Sequence, residues 1–477
     1  MNQVTMMNEF EQYCKEIVDK YDIPGFSIGL SKDGELFYDR GFGYRNTAQK
    51  LPLSADTVFG IGSVTKSFTC VAILQLQEAG KLNVHDPVIK YIPEYKTPDE
   101  NHTKQTTIHH FMTHSAGLPP LATLHGALKN SLEKEPKFDE DSQSEEKKEN
   151  PLDKLPVIDT YQDLLEFIGK ENYKLLGAPG TEFSYSNDAY SLLGLIIERV
   201  SGKTYEQYVK DYILDPAGMH HSVFHIEELK NYDDVASLYN SRKKDDETII
   251  FESNNPWDAP SMRAAGFLKS TVNDMMKYLE IFRNGGKVGN VQILSLESVE
   301  LMTTPYIECA YEKYYGYGLM ITPDFFGYKL VEHGGSVKGV AAQMAIIPEI
   351  GVTGVSFANL AGVPSTKLLF SAFANFLGKK NEDLNLNLKE IKLPSDALTE
   401  YEGTFVSGEG MTTKFSIEDN KLLLTAEGMV NTVLKPVGED LFLIQFRESE
   451  ITIRFVRDDN SKIHRVAFGF RQIPKVG

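Results

Sequence analysis

Cysteine is scarce in this chain: Cys14, Cys70 and Cys309 are its only three, and they lie far apart. An odd, dispersed set excludes a disulfide scaffold. Without a Cys-x-x-Cys pair, neither a thiolate zinc site nor a dithiol redox centre is expected. Cys70 falls in an apolar helical run and reads as core. Long hydrophobic runs are missing too. No stretch approaches the roughly 18 apolar residues that cross a bilayer, so no membrane span is expected. The opening Met1-Asn2-Gln3-Val4-Thr5 has no basic segment followed by an apolar one, and the cytosol is the expected compartment. Positive charge is in deficit, with 49 Lys plus Arg against 67 Asp plus Glu and a formal charge of −18. Such a chain repels the phosphate backbone whose neutralisation supplies nucleic-acid affinity, so nucleic acid is excluded as a partner.

What remains is a large apolar share, 41% of 477 residues. At roughly 100–200 residues per domain that suffices for two to four compact units. Residues 10–21 have the pattern of an amphipathic helix. Phe26–Leu30 and Leu36–Tyr38 flank Lys32-Asp33-Gly34-Glu35, a hairpin signal because Asp-Gly tolerates positive φ. Phe68, Val71, Ala72, Leu74 and Leu76 recur at helical spacing between Ser67 and Ala79, and Gly80 supplies a stop. Residues 159–213 read as helical, as do Met275–Phe282 and 364–377, while 340–347 and 352–358 read as strands. The mixture predicts an α/β body with an inserted helical subdomain. From Glu133 to Glu149, twelve of seventeen residues are charged and none is aliphatic. That segment is expected to be a solvated insertion. Beyond about residue 390, period-two runs such as Ile451–Phe455 and Val466–Phe470 alternate with short turns, which predicts a small antiparallel barrel after an acidic linker.

The segment richest in chemistry is Gly60-Ile61-Gly62-Ser63-Val64-Thr65-Lys66, which leads into the apolar helix. Residues three apart on a helix share a face, so the Ser63 hydroxyl and Lys66 amine can meet. A serine alcohol needs a proton acceptor to become a nucleophile. A lysine serves as one only when its pKa falls from about 10.4 towards neutrality, as burial and cationic neighbours arrange. By itself the tetrapeptide is better explained by an N-cap serine with a solvated lysine, because Ser-x-x-Lys is common by chance. Downstream, Pro179-Gly180-Thr181-Glu182-Phe183-Ser184-Tyr185-Ser186-Asn187 offers a phenol to relay a proton and an amide to hold a carbonyl. Glu332-His333-Gly334-Gly335-Ser336 offers glycines that let a backbone approach a ligand closely.

In this order, the three segments resemble the serine β-lactamase and penicillin-binding-protein superfamily. The resemblance is to its class C β-lactamase-like branch of DD-peptidases, D-aminopeptidases and esterases. Ser63/Lys66, Tyr185/Asn187 and His333/Gly335 correspond to its Ser-x-x-Lys, Tyr-x-Asn and Lys/His-x-Gly elements. Thr113–Pro119, Ala265–Thr271 and Tyr315–Gly318 also look like this family. The likeness implies an α/β fold of the β-lactamase/transpeptidase type over residues 1–378: an antiparallel sheet flanked by helices, with an α-helical subdomain and a charged insertion at about 129–154. A linker at 379–395 and a lipocalin-like barrel at 396–477 would follow.

The resemblance further implies a serine hydrolase working through an acyl-enzyme on Ser63. Either Lys66 or Tyr185 is the principal base, and Tyr185 shuttles protons. Asn187, His333, Gly335 and Ser336 contact substrate, with the backbone N–H groups of Ser63 and Ser336 forming the oxyanion hole. Neither a metal nor another cofactor is needed, and the partner is a small-molecule or peptide substrate, with a homo-oligomer left open. Where many relatives carry Lys-Thr-Gly, this chain has His333-Gly334-Gly335. The permanent ammonium is gone and histidine is only partly charged near neutrality. Amide or ester cleavage in D-amino-acid-containing peptides or small esters is therefore favoured over action on β-lactams or peptidoglycan stem peptides. A non-catalytic binding or scaffold module on the same fold is a further alternative. Zinc held by His110 and His114 at i, i+4, near His109, is disfavoured because no His-Glu-x-x-His glutamate accompanies them.

Overall fold

The computed structural model describes residues 3–135, 151–244 and 247–476. Its body is a nine-stranded antiparallel sheet. Across the sheet the order is Ile307–Ala310, Lys313–Tyr315, Met320–Phe325, Tyr328–Val337, Val340–Ile347, Val352–Ala358, Gly25–Lys32, Glu35–Asn46 and Leu51–Pro52. The expected hairpin after Lys32 forms with Asp33 and Gly34 both at positive φ. The Val340–Ile347 strand is buried throughout, and apolar apart from Gln343, because both of its faces are covered. Val340, Ala342, Met344 and Ile346 pack into a core with Phe68 and Leu192, while Ala341, Ala345 and Ile347 meet Phe10, Leu368 and Phe373 on the opposite face. Two terminal helices, Gln3–Lys20 and Ser365–Phe376, supply that second layer.

The Thr65–Glu78 helix is the axis of the larger core. Every residue from Thr65 to Leu74 is buried, Lys66 included. It starts two residues earlier than the apolar pattern alone suggests, continuing a 3₁₀ turn over Gly62–Val64. The helical reading of 159–213 needs correction. Tyr161–Lys170, Asn187–Ser201 and Tyr205–Val209 are helices, but residues 171–186 are not. Ala178-Pro179-Gly180 explains the break, since the residue before proline avoids the α region and Gly180 sits at φ +89. The Thr123–Leu132 helix runs past residue 129, where the charged insertion was expected to begin. Residues 136–150, most of that insertion, lie outside the described residues.

Eight strands from Gly403–Val406 to Arg471–Val476 close into a barrel, its ends joined by pairing of Thr404 with Val476 and Phe405 with Lys475. Its interior is filled by aromatic side chains. Phe415 lies 5.4 Å from Phe405 and 4.8 Å from Phe455, both edge-on. That makes a packed core, as eight strands allow. The barrel docks on the body beside residues 176–185. Arg465 donates to the Leu176 carbonyl (2.7 Å) and pairs with Glu182 (2.9 Å), and the Tyr185 N–H donates to the Phe470 carbonyl (2.9 Å). No described helix is long and apolar enough to cross a membrane.

Candidate active site

Ser63 sits half-buried on the 3₁₀ turn that opens the buried helix. Two glycines let the Tyr328–Val337 strand come against that turn. A Cβ on Gly335 would fall 2.0 Å from the Ile61 carbonyl oxygen and 3.2 Å from the Ser63 nitrogen. Gly62 has φ +52, and its Cβ would meet the Ser336 nitrogen at 2.6 Å. The Met320–Phe325 strand pairs with this strand only as far as Glu332, so residues 333–337 form an open edge. The two-residue Lys338-Gly339 turn joins Val337 to Val340. Ladder hydrogen bonds alternate, so Val337 and Gly335 bond the neighbouring strand while the Ser336 N–H faces the open edge beside Ser63.

Lys66 is fully buried. Its Nζ lies 3.1 Å from Ser63 Oγ, 2.9 Å from Asn187 Oδ1 and 2.5 Å from the Ala265 carbonyl. Burial holds its pKa well below the ordinary lysine value, with the Arg471 charge adding to the effect. In the uncharged amine that burial favours, all three contacts are satisfied. Asn187 Oδ1 and the Ala265 carbonyl can only accept, so they take the two N–H groups, and the lone pair is left for the Ser63 hydroxyl to donate into. Ala265 opens a stretch that the sequence marked as family-like, but nothing in the sequence tied its carbonyl to Lys66.

Tyr185 is buried over this pair, with Lys66 Nζ 4.7 Å from its ring centre. Its hydroxyl forms no well-shaped hydrogen bond. Burial pushes its pKa up, partly offset by Ser63 and Arg471, so the phenol stays protonated. Asn187 begins the next helix just after its N-cap Ser186, and it turns its Oδ1 to Lys66. His114 packs under Tyr185 at 4.1 Å between ring centres, and its Nδ1 accepts from the Ser186 N–H at 3.0 Å. That acceptor role places the ring's hydrogen on Nε2, and burial keeps the ring neutral.

His333 departs from expectation. Rather than a partly charged group, it is a buried neutral imidazole with both nitrogens engaged. Nδ1 donates to the Gly334 carbonyl (2.6 Å) and Nε2 accepts from the Tyr315 hydroxyl (2.9 Å). Burial lowers its pKa to about 4. Glu332 beside it is tied to Lys313 at 2.7 Å and Gln343 at 2.7 Å, which fixes the strand just before the open edge.

Each of the three histidines weighed for zinc has its Nδ1 in a hydrogen bond, that of His114 with the Ser186 N–H. His109 Nδ1 lies 2.8 Å from the Tyr317 hydroxyl, and His110 Nδ1 accepts from the Thr107 N–H at 3.1 Å. Among the described residues no group of three His, Cys, Asp or Glu is arranged to hold a metal.

One site residue escaped the sequence reading altogether. Arg471, from the last barrel hairpin, lies with its guanidinium carbon 4.7 Å from the Tyr185 ring centre and is held by Glu409 at 2.8 Å. Only the docking of the barrel brings it there, and no local motif announces that docking.

A sheet of this topology, with a serine–lysine pair heading a buried helix against its open edge, defines the β-lactamase/transpeptidase-like class. Residues 10–370 match the family model described as Beta-lactamase, and the chain belongs to that family. It is 29% identical over 284 residues to Protein flp of Staphylococcus aureus (strain MW2), covering 58% of this chain and 50% of that protein. The chain thus spans about half the length of the flp relatives it matches. The serine beta-lactamase-like protein LACTB, mitochondrial, of Mus musculus is 26% identical over 397 residues, covering 70% of this chain and 71% of that protein. A solved octameric penicillin-binding protein homologue from Pyrococcus abyssi superposes with a TM-score of 0.69 at 31% identity, covering 98% of this chain and 100% of that one.

Proposed function

We propose that this protein is a serine hydrolase that cleaves amide or ester bonds through an acyl-enzyme on Ser63. The observation that carries the reading is the 3.1 Å contact between Ser63 Oγ and a Lys66 amine kept uncharged by burial. Ser63 Oγ attacks the substrate carbonyl carbon as its proton passes to Lys66 Nζ. The oxyanion accepts from the N–H groups of Ser63 and Ser336, one such donor being worth roughly 2.7–4 kcal/mol. Tyr185 is held as a phenol, which suits it to protonate the leaving group and leaves the base role to Lys66. Water then cleaves the ester to Ser63. Asn187 orients Lys66 through Oδ1 and can offer its Nδ2 to the acyl side. With His333 neutral, the third motif supplies no cation. This favours D-amino-acid-containing peptides or small esters over β-lactams.

A screen of p-nitrophenyl esters, D-amino-acid anilides, D-Ala-D-Ala peptides and nitrocefin tests the reading. Turnover of esters or anilides with little nitrocefin hydrolysis is expected; no turnover and no fluorophosphonate labelling would leave a binding module. Tyr185→Phe should slow anilide cleavage more than ester cleavage, because an amine leaving group needs a proton and a nitrophenolate does not. Equal losses would remove the proton-donor role. Gly335→Ala should cut kcat/KM for esters on the order of 10²-fold or more, because the added methyl pushes the strand edge and the Ser336 donor away from Ser63. An unchanged rate would place the oxyanion elsewhere.

A further inference from the structure

We propose that Arg471, carried into the site by the barrel, anchors a carboxylate on the substrate from the barrel side of Tyr185, not from the strand that carries the third motif. The inference rests on the serine-hydrolase reading and narrows its substrate class. With His333 neutral and Lys66 needed as a free amine, Arg471 is the permanent cation against Tyr185. It also lines a cavity of about 1040 Å³ between the barrel wall and the end of the sheet, together with Phe183, Cys309, Lys313 and Phe470. Arg471 thus borders a space large enough for several residues of a peptide on one side and the Tyr185 ring on the other, although Ser63, Lys66 and Tyr185 do not themselves line that space.

A guanidinium has five N–H donors. Glu409 takes one from Nε and one from Nη2, and Nη1 has no hydrogen-bond partner among the described residues. The ion pair therefore orients the fork without using it up. The hairpin is built for this placement at some cost. Gly469 and Phe470 both adopt positive φ, +58 and +64, a conformation unfavourable for a phenylalanine. It is held there by the bond from Tyr185 N–H to the Phe470 carbonyl. Strain of this kind persists where surrounding structure enforces it, and it gathers at functional sites. In a chain with a net charge of −18, one fixed guanidinium in the site separates acidic substrates from neutral ones.

The test is calorimetric titration of full-length Ser63→Ala protein with N-acetyl-D-alanine and with N-acetyl-D-alaninamide, which needs no turnover. The free acid should bind at least about tenfold tighter than the amide, and Arg471→Met in the same background should bring the two together. Glu409→Gln, which frees more of the guanidinium, should strengthen acid binding severalfold and guards against misfolding of the arginine variant. Equal affinities in the arginine-containing protein, no binding of either probe, or an acid preference that survives Arg471→Met would each overturn the proposal. Ester turnover and fluorophosphonate labelling of the unsubstituted protein report on the hydrolase reading separately.

Discussion

Ser63→Ala is expected to abolish p-nitrophenyl ester turnover, by on the order of 10⁴-fold or more, and to eliminate fluorophosphonate labelling. The loss follows from geometry rather than unfolding. Only one oxygen is removed, from a half-buried turn whose backbone is fixed by Gly62 and by the strand edge pressed against it. The Ile61 N–H donates to the Leu268 carbonyl at 2.9 Å, and that bond is untouched. Thermal unfolding should therefore shift by no more than a few degrees. A variant that kept its rate would show that turnover uses another nucleophile, and one that no longer folded would leave Ser63 a structural residue.

Lys66→Met should lose nearly as much activity, because groups that act as a unit do not contribute additively. It should also change how stability depends on pH. Burial lowers the Lys66 pKa in the folded protein, whereas in the unfolded chain the amine keeps an ordinary value near about 10.4. Between those two values the unfolded state binds a proton that the folded state does not. Stability from this group therefore rises with pH, by up to about 1.4 kcal/mol per pH unit, and is lost as pH falls. Lys66→Met lacks that slope. Denaturant titrations between about pH 7 and pH 9 should show the unsubstituted protein gaining on the variant as pH rises. Parallel curves would mean that Lys66 is charged when folded. The sign of the difference at any one pH is a separate matter, because methionine leaves Asn187 Oδ1 and the Ala265 carbonyl without their donor.

Much of the candidate site was legible because its parts are local. Ser63 and Lys66 are one helical step apart. Tyr185 and Asn187 flank an N-cap serine, and Gly335 lies in a strand followed directly by the largely apolar run Val340–Ile347. The strands Val340–Ile347 and Val352–Ala358 fell where the pattern put them, since the Pro348–Gly351 turn separates two segments buried on both faces. What was illegible depends on assembly. Arg471 reads as an ordinary hairpin charge until the barrel docks. His333 reads as titratable until burial and two hydrogen bonds fix it as neutral. The gap in helix at 171–186 was signalled by Pro179 but masked by the apolar residues on either side.

Catalysis by Ser63 requires that Lys66 be an uncharged amine able to take the Ser63 proton. The most direct measurement is the single-turnover rate of Ser63 acylation by a fluorophosphonate as a function of pH. A rise through one ionisation well below the ordinary lysine value, followed by a plateau, is expected. A rate that keeps climbing tenfold per pH unit up to about pH 10.4 would contradict it.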